Sequence, residues 1–202
     1  MKKSVSFFQI FKVMHIQNNG SNTYDAIVVG TGVSGGWAAK ELCENGLKTL
    51  VLERGRMVKH IEDYPTMNLD PWDVPHGGST PQDVLKNYSK QKRWGVNEFK
   101  RHFYNNDSEH DYDEDKPFDW IRGKQVGGRS LIWGRQTYRW SDLDFESNAR
   151  EGIGVDWPIR YKDIKPWYEH VEKHIGISGE ALNLPQLPDS IFLPPMELNC
   201  LE

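Results

Sequence analysis

The sequence predicts an α/β fold built on a parallel sheet. Three observations lead there: the compact β-branched run "YDAIVV" at 24–29, the stretch "SGGWAAKELCEN" after it, and a second apolar run, "KTLVLERG", at 48–55. An apolar run of the first kind suits a strand covered on both faces. In the second stretch Trp37, Ala38, Leu42 and Cys43 fall on one helical face, with Lys40, Glu41 and Glu44 pointing elsewhere. Asn45 and Gly46 supply a helix stop. The order strand, turn, helix, turn, strand is that of a right-handed βαβ unit.

Composition sets the outer limits. The chain has 202 residues, 37% of them hydrophobic, and a net charge of -4, enough for one domain with a sizeable core. That charge balance argues against nucleic acid as a partner, since phosphate neutralisation needs a basic face. No uncharged apolar run is long enough to span a bilayer. The opening "MKKSVSFFQIFKVM" has a basic start and an apolar middle, but Lys12 interrupts it and no small-residue cleavage site follows. Residues 1–22 therefore read as a frayed extension without a clear signal peptide, Met14 offers a second start, and the compartment, cytoplasmic or periplasmic, is left open. Two cysteines, Cys43 and Cys200, make neither a disulfide framework nor a four-ligand zinc site.

The turn between the first strand and the helix, "GTGVSGG" at 30–36, has a mechanical reason for each glycine. Gly30 allows a sharp exit from the strand, Gly32 lets the main chain approach a diphosphate, and Gly35 lets helix and strand pack closely. Main-chain N–H groups of Gly30, Thr31, Gly32, Val33, Ser34 and Gly35 would then face the ligand at a helix N-terminus. Glu53, 18 residues beyond Gly35, stands where a carboxylate accepts the hydroxyls of an adenosine ribose. These features together define a dinucleotide-binding unit over 23–56; NAD, FAD and a vestigial site are all open at this point.

Residues 57–120 break the regular alternation. They are rich in Pro, Asp, Asn, His and Tyr and read as turns and loop, an inserted lid. Within them "NNDSEHDYDED" fails as a calcium loop: counted from Asp107, Tyr112 takes the place that needs Gly and Phe118 the place that needs Glu. A solvated acidic loop is expected instead. His170 and His174 lie one helical turn apart, but Val171 stands where the metalloprotease pattern has Glu, so a surface pair is expected and no metal ligand is assigned. Pro166 fits that helix if it lies in the first turn. The proline-rich tail from 182 onward reads as extended chain.

The other informative stretch is "VGGRSLIWG" at 126–134, where Gly127 and Gly128 remove two successive side chains from a buried run. A ligand or a tight turn would each require that. With the glycine turn and the segment "WPIRYKDIKPWYEHVE" at 157–172, this stretch resembles the glucose-methanol-choline family of flavin oxidoreductases, with wording closest to its sugar- and glucoside-oxidising branch. The resemblance covers nearly everything after residue 24. It implies an FAD-binding, Rossmann-like parallel sheet with an inserted lid, its sheet incomplete within this chain, and residues 121–202 as a flavin-contacting segment and the start of a substrate domain.

The resemblance also implies FAD as cofactor, with Gly30 to Gly35 at the diphosphate, Glu53 at the ribose, Arg54 towards the adenine, and Val126, Gly127, Gly128, Ser130 and Trp133 along the isoalloxazine ring. Ile132 replaces the histidine through which some sugar oxidases attach their flavin, so FAD is expected to be non-covalent. The implied partners are a small sugar or alcohol and an unspecified electron acceptor. Family members are substantially longer and carry their catalytic histidine pair in the second half. None of the seven histidines here matches it, so no catalytic residue is assigned and the chain alone is expected to be inactive. An NAD-dependent dehydrogenase explains the first motif only; a flavin-free binding protein on the same fold has no use for the second.

Overall fold

A computed structural model of the chain describes residues 23–91, 95–110 and 112–197. The expectations for 1–22 and for Cys200 lie outside the described residues. The chain divides into two compact units, Met1–Trp133 and Gly134–Glu202, a boundary inside the stretch 121–202 that the sequence treats as one region.

The first unit is mixed α/β. Strand β1 (Ala26–Val29), helix α1 (Val33–Glu44) and strand β2 (Thr49–Leu52) follow in order. The strands pair in parallel, with Ala26 opposite Thr49 and Val29 opposite Leu52. Asp25 accepts the Lys48 N–H at 2.8 Å, fixing the start of the register. Gly46, at φ +82, closes α1 in the left-handed conformation that a β-carbon resists.

Two expectations about this unit need correction. Coverage of β1 on both faces is not found: Val28 is buried against Gly35, but Ile27 and Val29 are 62% and 81% exposed. Strand side chains alternate, so Val28 faces α1 while Ile27 and Val29 face away with Leu50 and Leu52, and this sheet has only two strands among the described residues. The buried side of α1 is also rotated from the expected one. Gly35, Ala39 and Leu42 are half-buried, whereas Ala38 and Cys43 are exposed, because the close approach at Gly35 sets the helix phase.

The irregular segment 57–120 supplies the core. It carries short 3-10 turns at Pro75–Gly78, Lys86–Tyr88 and Arg101–Phe103 and a single α-turn, α2 (Gln82–Leu85). Tyr88, Val96 and Tyr104 form a buried cluster, with Val84, Leu85, Ile121 and Ile132 packed against it. The expected solvated acidic loop is found at Glu109, Asp113, Glu114 and Asp115, which are exposed, but Asp107 departs from it and is buried. Its carboxylate accepts from the Lys90 N–H at 3.0 Å, the Gln91 amide at 3.0 Å and the Arg122 guanidinium at 2.9 Å. Gln91, fully buried, also donates to the Asn105 carbonyl and accepts from the Arg122 N–H. A loop without regular structure has to satisfy its backbone with side chains, and Asp107 and Gln91 do so here.

The second unit, described by itself, contains α3 (Asp142–Phe145), α4 (Ser147–Glu151), α5 (Tyr161–Ile175), β3 (Ile177–Ser178) and β4 (Phe192–Leu193). Ser141 and Asp144 close a reciprocal capping box on α3. Pro166 is the sixth residue of α5, past the first turn where the sequence reading tolerates it. Its exposed face lets water satisfy the carbonyl that Pro166 cannot serve. The buried Arg139 guanidinium bonds both oxygens of Glu172, at 2.8 and 2.5 Å, and donates to the Tyr161 hydroxyl at 2.8 Å. Glu172 also accepts the Ile191 N–H at 2.8 Å. That contact draws the tail back, so β4 pairs in parallel with β3 instead of running on as free extended chain. His170 and His174 are exposed on α5, and among the described residues no group of three or more His, Cys, Asp or Glu could hold a metal.

Candidate functional site

The site grows from the glycine turn. Gly30 leaves β1 at φ +89 while its N–H donates to the Leu52 carbonyl at 2.7 Å, so the sharp exit and the sheet edge are fixed together. A β-carbon on Gly35 would lie 2.0 Å from the Gly30 oxygen, which explains that glycine by packing alone. Gly32 differs. Its φ of -62 suits any residue, and a β-carbon there would meet nothing within 4 Å. The fold itself therefore makes no steric demand for glycine at 32, and the space a side chain would take there is open. Gly32 is the N-cap of α1, and neither a capping side chain nor a first-turn acid serves this helix end, so the N–H groups of its first turn have no partner within the helix.

Glu53 is bound into the turn. Its Oε2 accepts the Thr31 N–H at 2.8 Å and the Thr31 hydroxyl at 2.5 Å, and its Oε1 accepts the Gly55 N–H at 2.7 Å. The Thr31 hydroxyl, with backbone N–H groups adding to it, holds the carboxyl below the usual glutamate range against the opposing effect of burial. A carboxylate offers about four acceptor sites. Donors from Thr31, Gly55 and the Arg54 backbone therefore account for most of its acceptor capacity.

The second glycine stretch meets the first directly. The Gly127 N–H donates to the Thr31 hydroxyl oxygen at 3.1 Å, and a β-carbon on Gly128 would sit 3.4 Å from the Gly32 α-carbon. Both glycines have positive φ, +88 and +53, in a tight turn that the Ser130 hydroxyl closes by donating to the Gly127 carbonyl at 2.6 Å. The close approach at these glycines is thus made by the turn itself and by the facing loop. Gly55 contributes a third contact of this kind: a β-carbon there would lie 2.3 Å from the Gln125 nitrogen, where Arg56 and Gln125 form a parallel bridge.

Two clefts open beside these loops. The larger, about 770 Å³, is lined by Gly30, Gly32, Val33, Ser34 and Gly35 on one side and by Ser130 and Trp133 on the other, within the usual size range of a small-molecule site. The smaller, about 420 Å³, has Glu53 and Arg54 on its wall. Arg129 and Ile121 line both. Of the residues singled out from sequence, Thr31, Val126, Gly127 and Gly128 do not line either cleft; they join the loops behind it. Lys100, Tyr104 and Arg129 also line the larger cleft and were not anticipated. Arg129 follows the glycine pair and was open to notice, while Lys100 lies in an irregular segment with no periodicity to mark it.

The smaller cleft is electropositive. Lys124 and His110 lie 2.6 Å apart, Nζ to Nδ1. Burial and the nearby Arg54 and Arg122 guanidinium groups push Lys124 below its ordinary value; burial, Lys124 and Arg54 do the same to His110. The site can therefore offer main-chain N–H groups, a helix pole and side-chain cations to an anion, and a single carboxylate acceptor at one end.

No family model matches the chain. It is 24% identical over 175 residues to a fructose dehydrogenase large subunit of Gluconobacter japonicus, covering 80% of this chain and 29% of that protein. A 2-methyl-1,2-propanediol dehydrogenase of Mycolicibacterium austroafricanum is 25% identical over 171 residues, 82% of this chain and 26% of its own length. A gluconate 2-dehydrogenase flavoprotein of Pantoea cypripedii is 26% identical over 172 residues, 78% of this chain and 26% of its length. These relatives are all dehydrogenases by name, and the chain spans less than a third of each.

Proposed function

We propose that this chain is the N-terminal, FAD-binding portion of a flavin-dependent oxidoreductase of the glucose-methanol-choline family, acting on CH–OH groups of sugars or alcohols. Residues 23–56 form its dinucleotide-binding unit, 57–120 its inserted segment, and 121–202 the flavin-contacting segment and the start of a substrate domain. The observation that carries the reading is at Gly32, where the chain has no steric need for glycine and the space a side chain would fill opens onto the larger cleft. Oxidoreductases of sugars and alcohols among the relatives, one named a flavoprotein, support the same reading.

When bound, the flavin supplies a hydride acceptor. This chain's own residues do the holding. N–H groups at the start of α1 would face the diphosphate, the Glu53 carboxylate would stand at the ribose, and Ser130 and Trp133 would border the space for the ring. The attachment is non-covalent, because Ile132 offers no nucleophile. No described residue is assigned a proton-transfer role.

The test is retention of flavin. Purified chain saturated with FAD and passed through a desalting column should carry flavin absorbance that denaturant then releases from the polypeptide. Absence of any FAD affinity overturns the proposal, and displacement of FAD by NAD would favour a nicotinamide-dependent dehydrogenase instead.

A further inference from the structure

Charge in the larger cleft points to a function for two residues that the sequence reading assigns no role, Lys100 in the irregular segment and Arg129 after the glycine pair. Its wall includes two cationic side chains, Lys100 and Arg129, and no acidic one. Among the described residues neither is in an ion pair, whereas neighbouring Arg101 is bound by Glu98 at 2.8 Å and Arg122 by Asp107 at 2.9 Å. In a chain of net charge -4, two unneutralised cations converging on one concave surface are a departure that asks for a counter-charge.

The amount of charge indicates which ligand group meets them. A diphosphate diester brings about two negative charges, and the N-terminus of α1 offsets roughly half of one. Two side-chain cations cover the roughly one and a half charges that remain, with a small excess, whereas a single phosphate monoanion or a neutral sugar would leave a larger positive excess. Position agrees with amount. Arg129 lines both clefts, so it stands between the glycine turn and the Glu53 end, the place a diphosphate occupies when a ribose lies at Glu53. Lys100 enters from the irregular segment, so that segment contributes to the site itself and does more than cover it.

We propose that Lys100 and Arg129 form a two-cation clamp on the cofactor's diphosphate and give the site its preference for a dinucleotide over a flavin without a diphosphate. This rests on the FAD reading for the identity of the ligand, but the clamp can be read separately with inorganic pyrophosphate.

Dissociation constants for FAD, riboflavin and pyrophosphate are measured by flavin fluorescence and calorimetry on the full chain and on Lys100→Met, Arg129→Met and Lys100→Arg. Each Met variant should weaken FAD and pyrophosphate at least about tenfold and leave riboflavin affinity unchanged. Lys100→Arg should retain FAD affinity to within about threefold, and wild-type FAD affinity should fall as salt is raised. Circular dichroism identifies a variant that fails to fold; the wild-type salt dependence and pyrophosphate competition then decide in its place. FAD binding that is insensitive to both Met substitutions overturns the clamp and spares the FAD reading. Pyrophosphate binding that needs both cations, without any FAD affinity, keeps the clamp and overturns the FAD reading. Binding of neither ligand overturns both.

Discussion

Replacing Gly35 with alanine isolates the contact that sets the glycine turn. The new β-carbon would stand 2.0 Å from the Gly30 carbonyl oxygen and 3.0 Å from its carbon. Ordinary contact begins near 3.4 Å, so about 1.4 Å of movement is required, and the obstacle is backbone. Gly30 cannot yield cheaply, since its N–H is bonded to Leu52 at 2.7 Å and its φ of +89 is already specialised. The remaining route is for α1 to lift away from β1 and uncover Val28. Overpacking of this kind costs about 1–3 kcal/mol, and a 2.0 Å clash with backbone belongs at the upper end; alanine returns roughly 0.5–1 kcal/mol as a better helix former, leaving a net loss of about 2 kcal/mol. Gly36→Ala is the control: its β-carbon would meet only the Thr31 oxygen, at 3.8 Å, so the helical gain should appear undiminished. Urea unfolding followed by circular dichroism should move the two midpoints in opposite directions at unchanged slope. A Gly35→Ala protein as stable as Gly36→Ala would refute the packing account of this turn.

Two other substitutions test the polar ties. Glu53 is held below the usual glutamate range by Thr31 and backbone donors, so its stabilisation is complete above the unfolded-state value and is lost as pH falls through the lower folded-state one; Glu53→Gln should cost roughly 1 kcal/mol near neutral pH and flatten the acid limb of stability, which urea midpoints at neutral and acidic pH will show or refute. Glu172→Gln strands the buried Arg139 guanidinium and should cost about 3–5 kcal/mol, while the apolar pair Arg139→Met with Glu172→Leu should recover most of it; equal thermal stability of the two variants would contradict this.

The βαβ unit was legible because it depends on local chemistry: a β-branched run, glycine punctuation, and an acid at a set distance. What escaped was decided by distant partners. The phase of α1 comes from the single close approach at Gly35, which outweighs the spacing of Trp37, Ala38, Leu42 and Cys43. Asp107 reads as surface charge until Arg122 and Gln91 are folded against it, and no pattern within 57–120 announces that Tyr88, Val96 and Tyr104 meet. The third motif is instructive in another way. Its Tyr161 and Tyr168 hydroxyls accept from Arg139 and from the Trp140 N–H, at 2.8 and 3.3 Å, and its Trp157 ring packs edge-on against Trp140 and Phe145, so in this chain those motif residues organise the second unit.

The turn is held in place mainly by polar ties. Parallel strands are ordinarily covered on both faces, yet Ile27 and Val29 are largely exposed, so apolar burial secures only the α1 side of the sheet. The Thr31 hydroxyl makes up part of the difference: it donates to Glu53 and accepts from Gly127, joining the end of β2 to the second glycine loop through the glycine turn. Each of these bonds contributes about 1 kcal/mol, more where the carboxylate is charged, which is comparable to the burial of one aliphatic side chain. Because the same atoms carry both loops that border the cleft, a ligand filling it would restrain them together, and the loss of Thr31 would loosen both.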